Sequence, residues 1–165
     1  THSAVVVEAA KNGVPTKTVH APGIMTLVSE TGLQLYKFGK TTSVVYPKGK
    51  WLPKSPLKAI SDNLEKGYHT LCLLDIEATE DSQRYMTCEE ARQILLNIDE
   101  ENLLSGKNIV CCAGLGTEDQ RITYESFEAP LTLQSDALQC LVVPARIDDG
   151  EKELLELRLG RDLNI

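Results

Sequence analysis

A histidine, a cysteine and a carboxylate follow one another at three-residue intervals in His69, Cys72 and Asp75. These are the residue types from which a nucleophile, its base and an orienting acid are assembled. They sit in HTLCLLDI (His69–Ile76), a nearly continuous apolar run of the kind that forms a strand covered on both faces. Side chains alternate along a strand, so His69 and Asp75 share one face and Cys72 takes the other. The triad geometry therefore fails. Cys72 reads as a small core hydrophobe, as do Cys111 and Cys112 in NIVCCA (Asn108–Ala113). The cysteine count is five, with no C-x-x-C spacing, which indicates neither a disulfide framework nor a zinc site and fits a reducing cytoplasm.

Gly114-x-Gly116 follows the NIVCCA strand, and Gly23 follows a shorter extended stretch, TKTVH (Thr16–His20). Small residues at the C-terminal ends of strands let backbone approach a ligand where α/β sheets bind them; turn-making is the alternative reading. A dinucleotide fingerprint is excluded, because a third glycine and a helix start are missing and Thr117-Glu118-Asp119-Gln120 follows instead. The chain has no P-loop, H-E-x-x-H or G-x-S-x-G, no clustered metal-ligand spacing, and 3 histidines in all. Catalysis, if present, then rests on placing a reactive cofactor against a substrate.

The elements that position these residues alternate. Val5, Val6 and Ala9 give a helical face over His2 to Asn12, ended by Gly13 and Pro15. After the Thr16–His20 strand, Ala21-Pro22-Gly23 turns the chain into a second helix running toward Thr31. Thr41 to Tyr46 is extended; Ser55-Pro56 opens a helix with Leu57, Ile60 and Leu64 on one side, closed by Gly67. Glu77 to Gln83 reads as loop, and Thr87 with Glu90 forms a capping box ahead of Ala91, Ile94, Leu95 and Ile98. Strands follow at Asn108–Ala113, Arg121–Tyr124 and Ala137–Val143, then a helix over Asp149 to Leu159. Strands alternating with helices define an α/β class.

The chain has 165 residues, the size of one domain with a real core. Its net charge is −7, but the distribution is regional: eight basic and two acidic residues among 1–61 give +6, and nine basic and 22 acidic among 62–165 give −13. The six lysines from Lys37 to Lys58, with Tyr46 and Trp51 among them, face no acidic residue between Glu30 and Asp62. Such a strip either keeps a strand edge soluble or meets an acidic partner. The overall acidity argues against general nucleic-acid binding. No apolar run approaches a membrane span of about 20 residues, and THSAVVVEAA lacks a signal-peptide layout. The expectation is a soluble, unexported polypeptide. Thr1 is not preceded by a Met and helical periodicity begins at once, so a piece of something longer is also expected.

Five blocks carry a resemblance: Thr1-His2, GVPTKTVHAPGIM (Gly13–Met25), GLQLYKFGKTTSV (Gly32–Val44), GYHTLCLLDI (Gly67–Ile76) and RYMTCEEARQILL (Arg84–Leu96). In order and spacing they resemble the diphthine synthases over residues 1 to about 97. The resemblance implies the C-terminal part of a tetrapyrrole-methylase-like fold, a mixed sheet flanked by helices. Residues 1–31 would end the cofactor-cleft region and 32–165 form the C-terminal α/β subdomain, with an upstream N-terminal domain absent and the fragment inactive alone. It implies S-adenosyl-L-methionine as cofactor and methyl transfer to the amino group of the 3-carboxy-3-aminopropyl-histidine of translation elongation factor 2, a step of diphthamide biosynthesis. A cytoplasmic homodimer is implied too, with no direct nucleic-acid contact and no membrane.

Carried across block by block, the family's cofactor contacts fall on Gly23, Ile24, Leu74, Ala113, Leu138 and Gln139. Gly114-Leu115-Gly116 stands where the family has arginine-alanine-glycine, and Leu138-Gln139 where it has proline-histidine. The acceptor of the amine proton stays open among a nearby carboxylate, His69 and water. Under this reading the lysine strip is a candidate docking surface for the elongation factor. Two other functions stay open: a methylase of a corrin or porphyrin, and a non-catalytic interaction or dimerisation module.

Overall fold

The computed structural model describes residues 2–49, 51–78 and 83–163. A helix α1 (His2–Lys11) precedes a single helical turn α2 (Ile24–Leu27) that tightens into a 3-10 turn (Val28–Thr31). Strand β1 (Thr42–Val44), helix α3 (Ser55–Glu65) and strand β2 (Thr70–Leu74) follow, then a hairpin of β3 (Ile76–Ala78) and β4 (Gln83–Tyr85). The chain finishes as α4 (Cys88–Ile98), β5 (Asn108–Ala113), β6 (Arg121–Ser126), β7 (Gln139–Val143) and α5 (Asp149–Leu159). Five strands form one mixed sheet in the order β1-β2-β7-β5-β6, parallel between β1 and β2 and antiparallel elsewhere.

The sheet separates two cores, and strand alternation assigns residues to them. Cys72, Leu141, Val143, Ile109 and Cys111 pack beneath α3 and α4; Leu71, Cys140, Val142, Val110 and Cys112 pack beneath α5 and the Val28–Leu33 segment. This is why β2, β5 and β7 read as unbroken apolar runs. All five cysteines are buried and free, and burial pushes the Cys72 thiol up, in keeping with a packing role. The capping box of α4 is present: the Glu90 N–H donates to Thr87 Oγ1 and the Thr87 N–H to Glu90 Oε2.

Three expectations are corrected. Thr16–His20 is exposed and forms no strand, because no strand among the described residues pairs with it. The second helix does not run as one element to Thr31; it tightens after Leu27 and stops at Gly32, whose φ of 90° suits glycine and where a Cβ would stand 2.8 Å from the Leu155 N. The stretch read as a loop from Glu77 to Gln83 begins and ends in paired strands, since Ile76–Ala78 and Gln83–Tyr85 match in register, while residues 79–82 lie outside the described ones.

A buried carboxylate fastens the second core. Glu151 is fully buried, and its Oε1 accepts from the Gln34 N–H at 2.9 Å and from His69 Nε2 at 2.9 Å. Its Oε2 accepts from the Asp148 N–H at 3.1 Å and pairs with the Lys37 ammonium, which also reaches Asp148 Oδ2 at 3.2 Å. The Ala145 N–H donates to His69 Nδ1 at 2.9 Å, which fixes the proton on Nε2. Burial opposes ionisation of Glu151, yet Lys37, the Gln34 N–H, His69 and the Asp148 N–H hold its carboxyl below the ordinary value. Burial likewise lowers His69 below its ordinary 6.5 against the pull of Glu151.

Both shifts act in the same direction on acidification. The unfolded chain takes a proton on His69 near pH 6.5 that the folded chain resists, so stability is lost as pH falls through 6.5 toward the lower folded value. The contribution of Glu151, present above 4.5, is lost as pH falls below 4.5. The thermal midpoint is expected to decline in two stages below pH 6.5, with His69→Gln removing the first stage; circular dichroism melts across pH would show it. Lys37→Met leaves a buried charge without its cation and is expected to cost about 3–5 kcal/mol in denaturant unfolding, with Lys37→Met/Glu151→Gln recovering part of the loss by removing the stranded charge while keeping an acceptor for the Gln34 N–H and His69 Nε2.

Candidate functional site

Over the C-terminal ends of β2 and β5, and beside the start of antiparallel β7, lies a cavity of about 560 Å³. Its volume and its apolar wall with few polar groups are those of a small-molecule site. Four distant segments build it: Pro22, Gly23, Ile24 and Leu27 ahead of and within α2; Leu73 to Ile76 from the end of β2 into β3; Cys112 near the end of β5 with Gly114 and Leu115 after it; and Ala137 to Cys140 entering β7. The hairpin closes the rim with Tyr85 and Met86.

The backbone after β5 has left-handed conformations, φ 58° at Gly114 and φ 81° at Gly116. A Cβ on Gly116 would stand 2.9 Å from Leu27 Cδ2, so glycine here lets the turn close on α2. The Gly114 N–H donates to the Leu138 carbonyl at 3.0 Å, tying this turn to the entrance of β7. Gln139 has its amide committed elsewhere: Oε1 accepts from the Cys88 N–H at 2.8 Å and Nε2 donates to the Ser135 carbonyl at 2.8 Å. Thr117 Oγ1 donates to the Gly114 carbonyl at 2.7 Å.

Of the residues singled out from sequence, Gly23, Ile24, Leu74, Leu138 and Gln139 stand together on this wall. Ala113 does not. It alternates with Cys112 and Gly114, and its side chain packs into the core on the other face of the sheet. Gln139 brings backbone and side-chain bulk to the wall, its amide being occupied. Sequence reasoning did not assign Leu27, Asp75, Met86 or Cys112 to the cavity; Asp75 lies within the LLDI block, Cys112 within the NIVCCA strand and Met86 within RYMTCEEARQILL, which was the available signal.

His69 lies at the opposite end of β2, fully buried and bonded at both ring nitrogens, and takes no part in the cavity. The lysine strip forms no single surface either. Lys37 points inward to Glu151, Lys54 pairs with Glu100 at 2.7 Å and Lys58 with Asp62 at 3.5 Å, while Lys50 lies outside the described residues. Only Lys40 and Lys48 of the described strip lack an ion pair, and Trp51, 58% exposed, stands beside Lys48 in a tight turn.

No protein-family model matches the chain. Curated diphthine synthases do. That of Methanococcus maripaludis strain C5 is 39% identical over 161 residues, covering 94% of this chain and 62% of the relative, and that of Methanocaldococcus jannaschii is 35% identical with 94% and 63% coverage. A crystal structure assigned to a diphthine synthase of Entamoeba histolytica superimposes with a TM-score of 0.88 at 35% identity, covering 96% of this chain and 65% of that one. A second diphthine synthase structure gives a TM-score of 0.83 at 28% identity. The chain is therefore similar to diphthine synthases over nearly all of its own length, and it spans about 62% of the length of the curated relatives.

Gly116→Ala is expected to lower stability by about 1–2 kcal/mol through its left-handed backbone and to displace Leu27 from the cavity wall. Denaturant melts together with the Leu27 methyl resonances in a carbon–proton spectrum would test this.

Proposed function

We propose that this chain, similar in sequence and fold to the diphthine synthases, forms part of an S-adenosyl-L-methionine-dependent methyltransferase. Its acceptor is the amino group of the 3-carboxy-3-aminopropyl-histidine of translation elongation factor 2, a step of diphthamide biosynthesis. The observation that supports this most directly is the meeting of Gly23, Ile24, Leu74 and Leu138 on one apolar wall. In this reading residues 1–31 end the cofactor-cleft region and 32–165 form the C-terminal subdomain; the described cores begin only at Val28. Cytoplasmic action and a homodimer belong to the same reading. Among the described residues no helix is long and apolar enough to cross a membrane.

The cofactor supplies an electrophilic methyl on a sulfonium, and the reaction is an in-line displacement by an uncharged amine. The residues of the wall suit it. Ile24, Leu27, Leu74 and Leu138 are apolar side chains that offer no competing nucleophile, while the turns at Gly23 and Gly114 bring backbone close to whatever occupies the cavity. Gly23, Ile24, Leu74, Leu138 and the backbone of Gln139 would hold the nucleoside and its side arm. His69 takes no proton from the amine, because it is sealed at the far end of β2.

The test is S-adenosylhomocysteine titration and labelled-methyl transfer to elongation factor 2 bearing the unmethylated side chain, with the chain completed by the N-terminal part of the Methanococcus maripaludis relative. Saturable binding and label in the factor are expected; absence of both would refute the reading. Leu138→Arg, at a rim position 57% exposed, is expected to weaken S-adenosylhomocysteine at least about tenfold, roughly 1.4 kcal/mol, without moving the melting temperature.

A further inference from the structure

We infer that Asp75 receives the methyl acceptor, holding an amine as its ammonium ion at the mouth of the cavity. The inference rests on the methyltransferase reading and adds to it the charge class of the acceptor and the residue that selects it.

Three observations carry it. Asp75 is the only acidic side chain among the described residues of the cavity wall, and no Lys, Arg or His faces it there. Arg84, next in the chain to the wall residue Tyr85, is already engaged, donating to Glu90 Oε1 at 2.6 Å and lying 4.1 Å over the Tyr46 ring. Asp75 is thus a half-buried carboxylate on an apolar surface with no counter-ion among the described residues, an arrangement that a bound cation would complete.

It is also held in place. Oδ1 accepts from the Ile76 N–H at 3.0 Å and Oδ2 from the Tyr46 N–H at 3.0 Å, while the Asp75 carbonyl accepts from the Met86 N–H at 3.0 Å. Each carboxylate oxygen makes one of these bonds and keeps acceptor capacity for an N–H donor from the cavity side. Third, Asp75 occupies the break between β2 and β3, where the chain leaves the five-stranded sheet for the hairpin. That break leaves the carboxylate half-buried on the cavity wall, which it shares with Leu73 and Cys112.

The chemistry assigns a holding role. A carboxylic acid is ordinarily about six pKa units more acidic than an alkylammonium, so an aspartate does not take its proton. Before the transfer the minor neutral fraction of the amine forms by release of its proton to bulk buffer; its nitrogen lone pair then forms the N–CH₃ bond as the C–S bond breaks, and the thioether leaves with the bonding pair. The product is again an ammonium cation and still pairs with Asp75. A neutral acceptor such as a ring carbon or hydroxyl gains nothing from this carboxylate, which separates an amine methylase from a corrin or porphyrin methylase.

The test compares Asp75→Asn and Asp75→Glu with the unsubstituted protein, each completed by the N-terminal part of the Methanococcus maripaludis relative. Asp75→Asn is expected to raise the KM for the amine-bearing elongation factor at least about tenfold, leave S-adenosylhomocysteine affinity within about twofold and remove the salt dependence of KM, with Asp75→Glu recovering part of the loss. A KM that does not move, or cofactor affinity that falls in parallel with it, would overturn the inference while leaving the methyltransferase reading intact. If the unsubstituted protein neither binds S-adenosylhomocysteine nor transfers methyl, the broader reading falls and this one with it. A readout free of activity uses the 165-residue chain alone: ethylammonium chloride should shift the Ile76 and Tyr46 amide resonances saturably, ethanol and sodium chloride should not, and Asp75→Asn should abolish the shift; equal shifts in protein and variant would count against the proposal.

Discussion

The carboxylate of Glu151 is the constraint on which the arrangement of the molecule depends. Its two oxygens accept from Gln34, His69 and Asp148 and pair with Lys37, which joins the Gly32–Gly39 segment, the entry to β2 and the N-terminus of α5 at one buried point. A carboxylate removed from water is tolerated only when its lone pairs are filled, and here all four positions are. The same side chain completes the capping box of α5, so helix start and core fastening are one structure. Fixing the start of β2 in this way fixes its end as well, and its end is the cavity wall.

Seen from this point, the GLQLYKFGK block is a buttress. Gly32 lies against α5, Lys37 enters the buried network, Phe38 meets His69 edge-on with centroids 5.4 Å apart, and Gly39 leaves no room for a Cβ beside Asn63. The lysine content that looks like a docking strip in one dimension therefore disperses in three. One lysine is interior, two are paired with carboxylates of Glu100 and Asp62, and Tyr36, 78% exposed, is the outward face of the motif. Charge adjacency along a chain carries no information about the acidic residues that tertiary folding brings beside it.

Much of the architecture was legible because burial on both faces leaves its mark in sequence. The β2, β5 and β7 runs, the Thr87–Glu90 cap and the α5 span all coincide with the observed elements within a residue or two. The hairpin was not legible, because its strands are three residues each and exposed, and carry no alternation. Thr16–His20 misled for the converse reason, having β-branched residues but no partner. Five of the six residues singled out by motif lie on the cavity wall and Ala113 does not, because one residue's shift along a strand exchanges one face of the sheet for the other. Glu151 escaped notice although Asp148-x-x-Glu151 ahead of a helix is a capping signal, since nothing local discloses that the glutamate is buried against Lys37 and His69.

The strand order has a kinetic consequence. β7, the last strand among the described residues, occupies the centre of the sheet and hydrogen-bonds to both β2 and β5. Until it arrives, the β1–β2 pair and the β5–β6 hairpin are two halves without a shared ladder, each exposing strand edges that invite wrong pairing. Such long-range closure makes folding slow relative to helical proteins of similar size. During synthesis the cavity wall is therefore completed only when the polypeptide has been extended past Val143, and the nascent chain before that moment is the form with most unpaired strand edge.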